Sequence, residues 1–344
     1  MTDPFKDIPD FPPEPEKELA GDDNQSETEE LSEHDKCVES LMSAIFTTLQ
    51  FKTMTVPERK PLIGTFLREG DIAFIHAQRG VGKTWYSIEL AEAISSGTPF
   101  GPWKSHEAKN VLYVDGEVAA HDIQQRIRSL GADNERFLYL NHELLFDKTA
   151  SVINIAEPAW QEAILELCKQ RAVGVLFFDN LSCLAPGVDE NDTAAWSREL
   201  LGFVLNLRRA GVSVIFVQHS GRNGQMRGHS RREDPANWII RLTKRESDCG
   251  AKFIARFDKL RNGATWPETL EWHFRPDGES IEVAYKNADS MDIFLELVES
   301  GVDNIADIAV EMDVTKGYVS QLAAKAINND CIRKKGQRYE FLSY

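Results

Sequence analysis

One stretch limits the chain's options more than any other: His76-Ala77-Gln78-Arg79-Gly80-Val81-Gly82-Lys83-Thr84, set between the apolar run Ile72–His76 and the amphipathic run Thr84–Ser95. The first run reads as a buried strand and the second as a helix. A glycine-rich turn between them gathers backbone N–H groups into an anion-binding concavity, with no Cβ in the way. Lys83 adds a point charge, Thr84 a hydroxyl suited to Mg²⁺, and the helix start the positive end of its dipole. Arg79, Gly80, Val81, Gly82, Lys83, Thr84 and Trp85 are therefore the candidate nucleotide-binding residues, with ATP and Mg²⁺ as the expected ligands. Ala77 replaces the usual first glycine of this pattern, but its Gly-x-Gly-Lys-Thr centre is intact. Trp85 stands where a dinucleotide fingerprint needs its third glycine, which disfavours a nicotinamide site.

Two further strand ends matter, because ligands of an open parallel sheet lie beyond the carboxyl ends of its strands. Val175-Leu176-Phe177-Phe178-Asp179 is an apolar strand closing on an acid, placing Asp179 with Thr84 as a Mg²⁺ ligand. Val111-Leu112-Tyr113-Val114-Asp115-Gly116-Glu117 closes on two acids, either of which could act as general base toward water. Glu117 is preferred for its longer reach, with Asp115 next.

Apolar strand candidates Ile72–His76, Asn110–Asp115, Gly174–Asp179, Val212–Gln218 and Ala251–Leu260 alternate with amphipathic stretches Thr84–Ser95, Ala120–Leu130, Ala159–Gln170 and Thr193–Ala210. The pattern predicts an α/β domain over residues 56–288, a mostly parallel sheet flanked by helices. Residues 1–36 hold thirteen acids and three bases, so they carry −10 of the chain's −16. That composition predicts a disordered acidic tail. Val38, Leu41, Ile45 and Leu49 predict a helix over Cys37–Phe51 within a 37–55 linker. It docks on a neighbouring subunit or caps its own core. Residues 289–344 predict helices Met291–Glu299, Ile305–Glu311 and Lys316–Asn328, a turn at Asp313–Val314, and a hairpin of Cys331–Lys335 and Gln337–Phe341 turning at Gly336. Three helices and a basic hairpin resemble a winged helix-turn-helix.

The order of phosphate loop, strand ending in Glu117, Asp179 strand and Val214-Ile215-Phe216-Val217-Gln218-His219 resembles the RecA-type ATPase core. Arg79–Thr84 together with Val111–Glu117 is similar to RepA-type plasmid replicative helicases. Asp258-Lys259-Leu260-Arg261-Asn262-Gly263 resembles the Lys-x-Arg-Asn-Gly stretch of DnaB-type hexameric helicases. The resemblance spans roughly residues 60–275. It implies a ring of six with ATP at each subunit interface and Glu117 as catalytic glutamate. It further implies Gln218 and His219 as a γ-phosphate sensor, and Lys259 and Arg261 as fingers reaching a neighbour's nucleotide.

Nucleic acid enters through two basic segments. Ser220–Arg232 carries Arg222, Arg227, Arg231 and Arg232 with three glycines and no acid, suited to single-strand phosphates. Arg227 could instead be a second finger. The terminal segment has ten acids and six bases, yet Lys316 opens its recognition helix and Arg333, Lys334, Lys335 and Arg338 gather on its wing. Duplex DNA and a protein partner are both open there. No run of about eighteen apolar residues is present, so no membrane span is expected. The absence of an apolar leader and of paired cysteine spacings gives a cytoplasmic expectation. Three functions follow: a helicase-type motor in replication of a plasmid or mobile element, a RecA-like switch that remodels proteins on DNA, or a nucleotide-controlled DNA-binding regulator.

Overall fold

A computed structural model describes residues 32–188, 193–221, 234–263, 265–312 and 314–342. The chain divides into two compact units, 1–57 and 58–344. Within the first, α1 (Glu33–Ala44) starts at Ser32, whose hydroxyl accepts from Asp35 N, so residues read as tail are already helical. α2 (Thr48–Thr53) follows. The single predicted helix is thus two, because Thr47 and Gln50 form a reciprocal capping box that begins a new one. No residue of either helix is buried. The rest of the predicted acidic tail lies outside the described residues.

In the second unit a short ladder, β1 (Pro61–Ile63) with β2 (Leu67–Arg68), precedes β3 (Ile72–Ala77) and α3 (Lys83–Ser96). There follow β4 (Asn110–Asp115), α4 (Ala120–Leu130), β5 (Phe137–Asn141), α5 (His142–Thr149), α6 (Pro158–Gln170), β6 (Val173–Asp179) and α7 (Leu181–Leu184). Next come α8 (Thr193–Glu199), α9 (Leu201–Arg209), β7 (Ser213–His219), β8 (Trp238–Lys244), β9 (Ala251–Leu260), β10 (Leu270–Asp277) and β11 (Ser280–Asn287). The nine-stranded sheet has the order β11-β10-β9-β8-β3-β7-β6-β4-β5. Strands β8 to β5 are mutually parallel, whereas β9, β10 and β11 extend the edge in antiparallel fashion.

This is the expected mostly parallel α/β sheet, with β7 inserted between the phosphate-loop strand β3 and the Asp179 strand β6. Alternation along β3 explains its two covered faces. Ala73 and Ile75 point into one core with Tyr86, Leu90 and Ile94 of α3, while Ile72 and Phe74 point into the other with Phe203 and Val204 of α9.

Three expectations need correction. β9 is antiparallel, since β8 and β9 are joined by a short connection rather than a crossover helix. The predicted Thr193–Ala210 helix is interrupted at Leu200, where φ is −118°. Hydrogen bonds from Leu200 N to Trp196 O and from Val204 N to Leu200 O span that kink, so the apolar period passes through it unbroken. β5, β8, β10 and β11 were not anticipated as strands.

The terminal segment forms α10 (Ser290–Glu299), α11 (Ile305–Glu311), α12 (Lys316–Asn328) and the antiparallel pair β12 (Ile332–Lys335) and β13 (Arg338–Phe341). Asp313 of the predicted turn lies outside the described residues. Gly336, at φ +69°, makes the hairpin turn. Phe294, Leu297, Ile308, Val319, Ala326 and Ile332 give the segment its own small core. Arg241 of β8 and Arg256 of β9 both pair with the buried Glu296 of α10, at 3.2 and 3.1 Å, and tie that core to the sheet.

Candidate active site

The site begins where β3 ends. Gly80 and Gly82 have φ of +74° and +119°, conformations that a Cβ would strain. A Cβ on Gly82 would also lie 2.9 Å from the Phe253 ring of β9, while one on Gly80 would meet nothing within 4 Å. Gly82 lets the loop pass the sheet; Gly80 borders open space. α3 then starts at Lys83 with no side-chain cap, leaving its first N–H groups for a ligand.

Lys83 is only 6% exposed. Its Nζ donates to the carbonyl oxygens of Ala77 and Gln78 and, at 2.9 Å, to His219 Nδ1. Burial pulls its pKa down, opposed by the charges of Asp179 and Glu117. Thr84 Oγ1 and the Tyr113 hydroxyl both donate to Asp179 Oδ2, at 3.0 and 2.6 Å. Burial pushes the Asp179 carboxyl up to about 6. A buried carboxylate with a raised pKa beside a hydroxyl is an environment that a divalent cation would stabilise. Thr84 and Asp179 are therefore the residues that fit Mg²⁺.

The two acids ending the second strand have separate fates. Asp115 is fully buried, and its Oδ1 accepts Glu117 N and Val118 N at 2.9 and 3.0 Å. Its Oδ2 accepts the Tyr139 hydroxyl at 2.9 Å. It builds the turn that presents Glu117. The Glu117 side chain is 43% exposed and receives the Asn180 amide, with His219 Nε2 3.6 Å away. His219 first, and Asn180 with Lys83 after it, hold the Glu117 pKa below its ordinary value. Lys83, Thr84, Glu117 and His219 line one cavity of about 620 Å³ with Arg79, Gly80 and Trp85. Its far wall is apolar, formed by Ala251, Phe274, Pro276 and Ile281, and Arg126 lies over the Trp85 ring. Gln218 is buried at the end of β7.

Other predicted residues lie elsewhere. Lys259 and Arg261 are at the end of β9, where Leu260 pairs with Trp238 and Trp238 with Ala73. That is the amino end of β3, whereas the phosphate loop follows its carboxyl end. Six residues of strand, about 3.3 Å each, put roughly 20 Å between Arg261 and its own Lys83. Asn262 anchors the Arg261 loop by donating to Phe66 O and to the buried Asp71, which Arg59 also reaches at 2.8 Å. Arg222, Arg227, Arg231 and Arg232 lie outside the described residues. On the terminal hairpin Arg333 pairs with Glu340 and Arg338 with Asp303, while Lys334 and Lys335 are exposed, as is Lys316 at the start of α12.

Sequence reasoning missed Asn180, Tyr113 and Tyr139, all bound to the acids. Only Asn180 left a trace, as a capping residue type before the short run Leu181–Leu184. The AAA domain family matches residues 39–225, more than half of the chain. The chain belongs to that family. This AAA domain is accordingly a P-loop ATPase, and the family implies that the cavity takes a nucleotide. No curated protein matches the chain. Among solved structures it is similar to the flagellar accessory protein FlaH from Methanocaldococcus jannaschii, at 15% identity and TM-score 0.45, over 64% of this chain and 91% of that one. It is also similar to a KaiC-like protein from Pyrococcus horikoshii OT3, at 17% identity and TM-score 0.46, over 67% of this chain and 99% of that one. No helix among the described residues is long and apolar enough to cross a membrane.

Proposed function

We propose that this chain is an ATP-hydrolysing, ring-forming motor of the DNA helicase kind, acting in replication of a plasmid or other mobile element. The observation that carries the shared-site part is the placement of Arg261 and Lys259 at the opposite end of the sheet from their own Lys83. In a head-to-tail ring that end faces the next subunit's nucleotide. The phosphate loop and Lys83 bind the triphosphate, and Thr84 with Asp179 hold Mg²⁺. When bound, Mg²⁺ neutralises charge on the β- and γ-phosphates. Glu117 takes a proton from the attacking water as the new O–P bond forms and the β,γ-bridging bond breaks. The neighbour's Arg261 stabilises charge on the transferred phosphoryl group. Arg222, Arg227, Arg231 and Arg232 contact single-stranded DNA in the ring channel, and the terminal winged helix contacts duplex DNA.

A second reading, a RecA-like switch that remodels proteins on DNA without unwinding, is favoured by one observation. Arg333 and Arg338 of the wing are already paired with acids of their own segment. Strand displacement on a forked duplex with ATP and Mg²⁺ separates the two. The motor displaces the strand, and Arg261→Ala abolishes displacement while single-strand binding persists. ATP hydrolysis by the unaltered protein with no displacement on any fork decides for the switch.

A further inference from the structure

The catalytic reading leaves Asn180 unexplained, although it is 1% exposed and sits among the reacting groups. Its amide is oriented by the fold. Oδ1 accepts Cys183 N at 3.0 Å, capping α7, which forces Nδ2 toward the cavity side, where it donates to Glu117 Oε2. His219 approaches the same oxygen. Because the Lys83 ammonium donates to His219 Nδ1, that nitrogen is the acceptor and the ring proton belongs on Nε2. Nε2 faces Glu117 Oε2 at 3.6 Å and lies 3.2 Å from Asn180 Nδ2, so two donors converge on one carboxylate oxygen.

We propose that Asn180 is a positioning residue for proton abstraction: it fixes Glu117 Oε2, so that Oε1 takes the proton of the attacking water. Oε1 receives no hydrogen bond from the described residues. The inference rests on Glu117 being the base. His219 also stands between that base and the phosphate-binding Lys83, hydrogen-bonded to Lys83 at Nδ1 and 3.6 Å from Glu117 at Nε2. The charged and titratable groups facing Glu117 are His219 and Lys83, with Asp115 beneath its own backbone N–H.

A purely structural Asn180 would serve only as the cap of α7, a task that Asp performs about as well. Asn180→Asp therefore separates the two roles. It keeps the cap acceptor and replaces the donor with a second carboxylate. The expected result is a folded protein with a lower melting temperature, because the added carboxylate is buried, little change in KM for ATP, and kcat lower by about 10–100-fold, part of what a general base contributes. The acid limb of the kcat–pH profile should move up by about one unit or more, because a like charge beside Glu117 raises its pKa. Asn180→Ser, which also caps but is too short to reach Glu117, should lower kcat with a smaller upward shift. Wild-type kcat with an unmoved acid limb in either folded variant overturns the inference. Glu117→Gln is the companion measurement. If it hydrolyses ATP at the wild-type rate, the assignment of the base fails first. If it is inactive while Asn180→Asp behaves as wild type, only the role of Asn180 fails.

Discussion

Asp115 and Glu117 end the same strand two residues apart, and burial alone separates their roles. Asp115 is saturated with donors from its own turn and from β5; Glu117 opens onto the cavity. Glu117→Gln should therefore keep ATP binding and lose turnover by about 10²–10⁴. Lys83→Ala should lose tight binding, since it removes the buried charge partner of the phosphates. Nucleotide binding by fluorescence and phosphate release check both, and wild-type turnover in Glu117→Gln would return the base role to the acids of another strand end. Glu117, Lys83 and Asp179 were legible because each follows a local pattern of strand, glycine and charge. Tyr113 and Asn180 were not. Their partners come from register, with Asp115 opposite Asp179 and Tyr113 opposite Phe177, and no spacing within one strand encodes a neighbour two crossovers away.

The helix that carries Lys83 also carries a misplaced charge. Glu89 is half-buried in α3, and burial, followed by repulsion from Glu92, pushes its carboxyl up to about 7. A carboxyl with a raised folded pKa binds a proton that the unfolded chain, near its ordinary 4.5, has already released. Folding is thus favoured at the low end of that window, and stability falls as pH rises from about 4.5 toward 7. Glu89→Gln removes the titration. It should be more stable than the unaltered protein at pH 8, with the advantage shrinking toward pH 5, as denaturant titrations at the two values will read. An equal difference at both pH values would rule out burial of the charge as the cause. Helices and parallel strands were legible here because a long amphipathic stretch and a short apolar run have different periods. The β10–β11 hairpin escaped because β11 buries little: only Ile281 and Val283 are half-buried and its other residues are exposed, so no apolar run marks it.

At the scale of the molecule, the parallel half of the sheet forces a division of labour. Among the described residues, the segments at the carboxyl ends of β3, β4 and β7 line the chain's own cavity, and a second set lies at the amino ends, a strand length away. Arg261, with its loop pinned by Asn262 to Asp71 and Phe66, belongs to the second set. The motif Lys-x-Arg-Asn-Gly was legible as a string, but its Asn is a structural anchor and its placement came only from the pairing of β8 with β9. If Lys83 acts on the nucleotide of its own subunit and Arg261 on the neighbour's, Lys83→Ala and Arg261→Ala should each be nearly inactive, the latter by about 10³–10⁵ in rate. Mixed one to one under conditions of subunit exchange, head-to-tail assembly makes about a quarter of the interfaces join an intact Lys83 to an intact Arg261. ATPase activity should then return toward that fraction, with coupling around the ring holding it lower. Full activity in Arg261→Ala alone removes it as the finger and passes the role to Lys259 or Arg227. Two inactive variants that exchange freely yet never recover, with Lys259 and Arg227 variants failing likewise, would mean that each subunit completes its own site. A self-contained switch would then be the function, and the far end of the sheet would need another purpose.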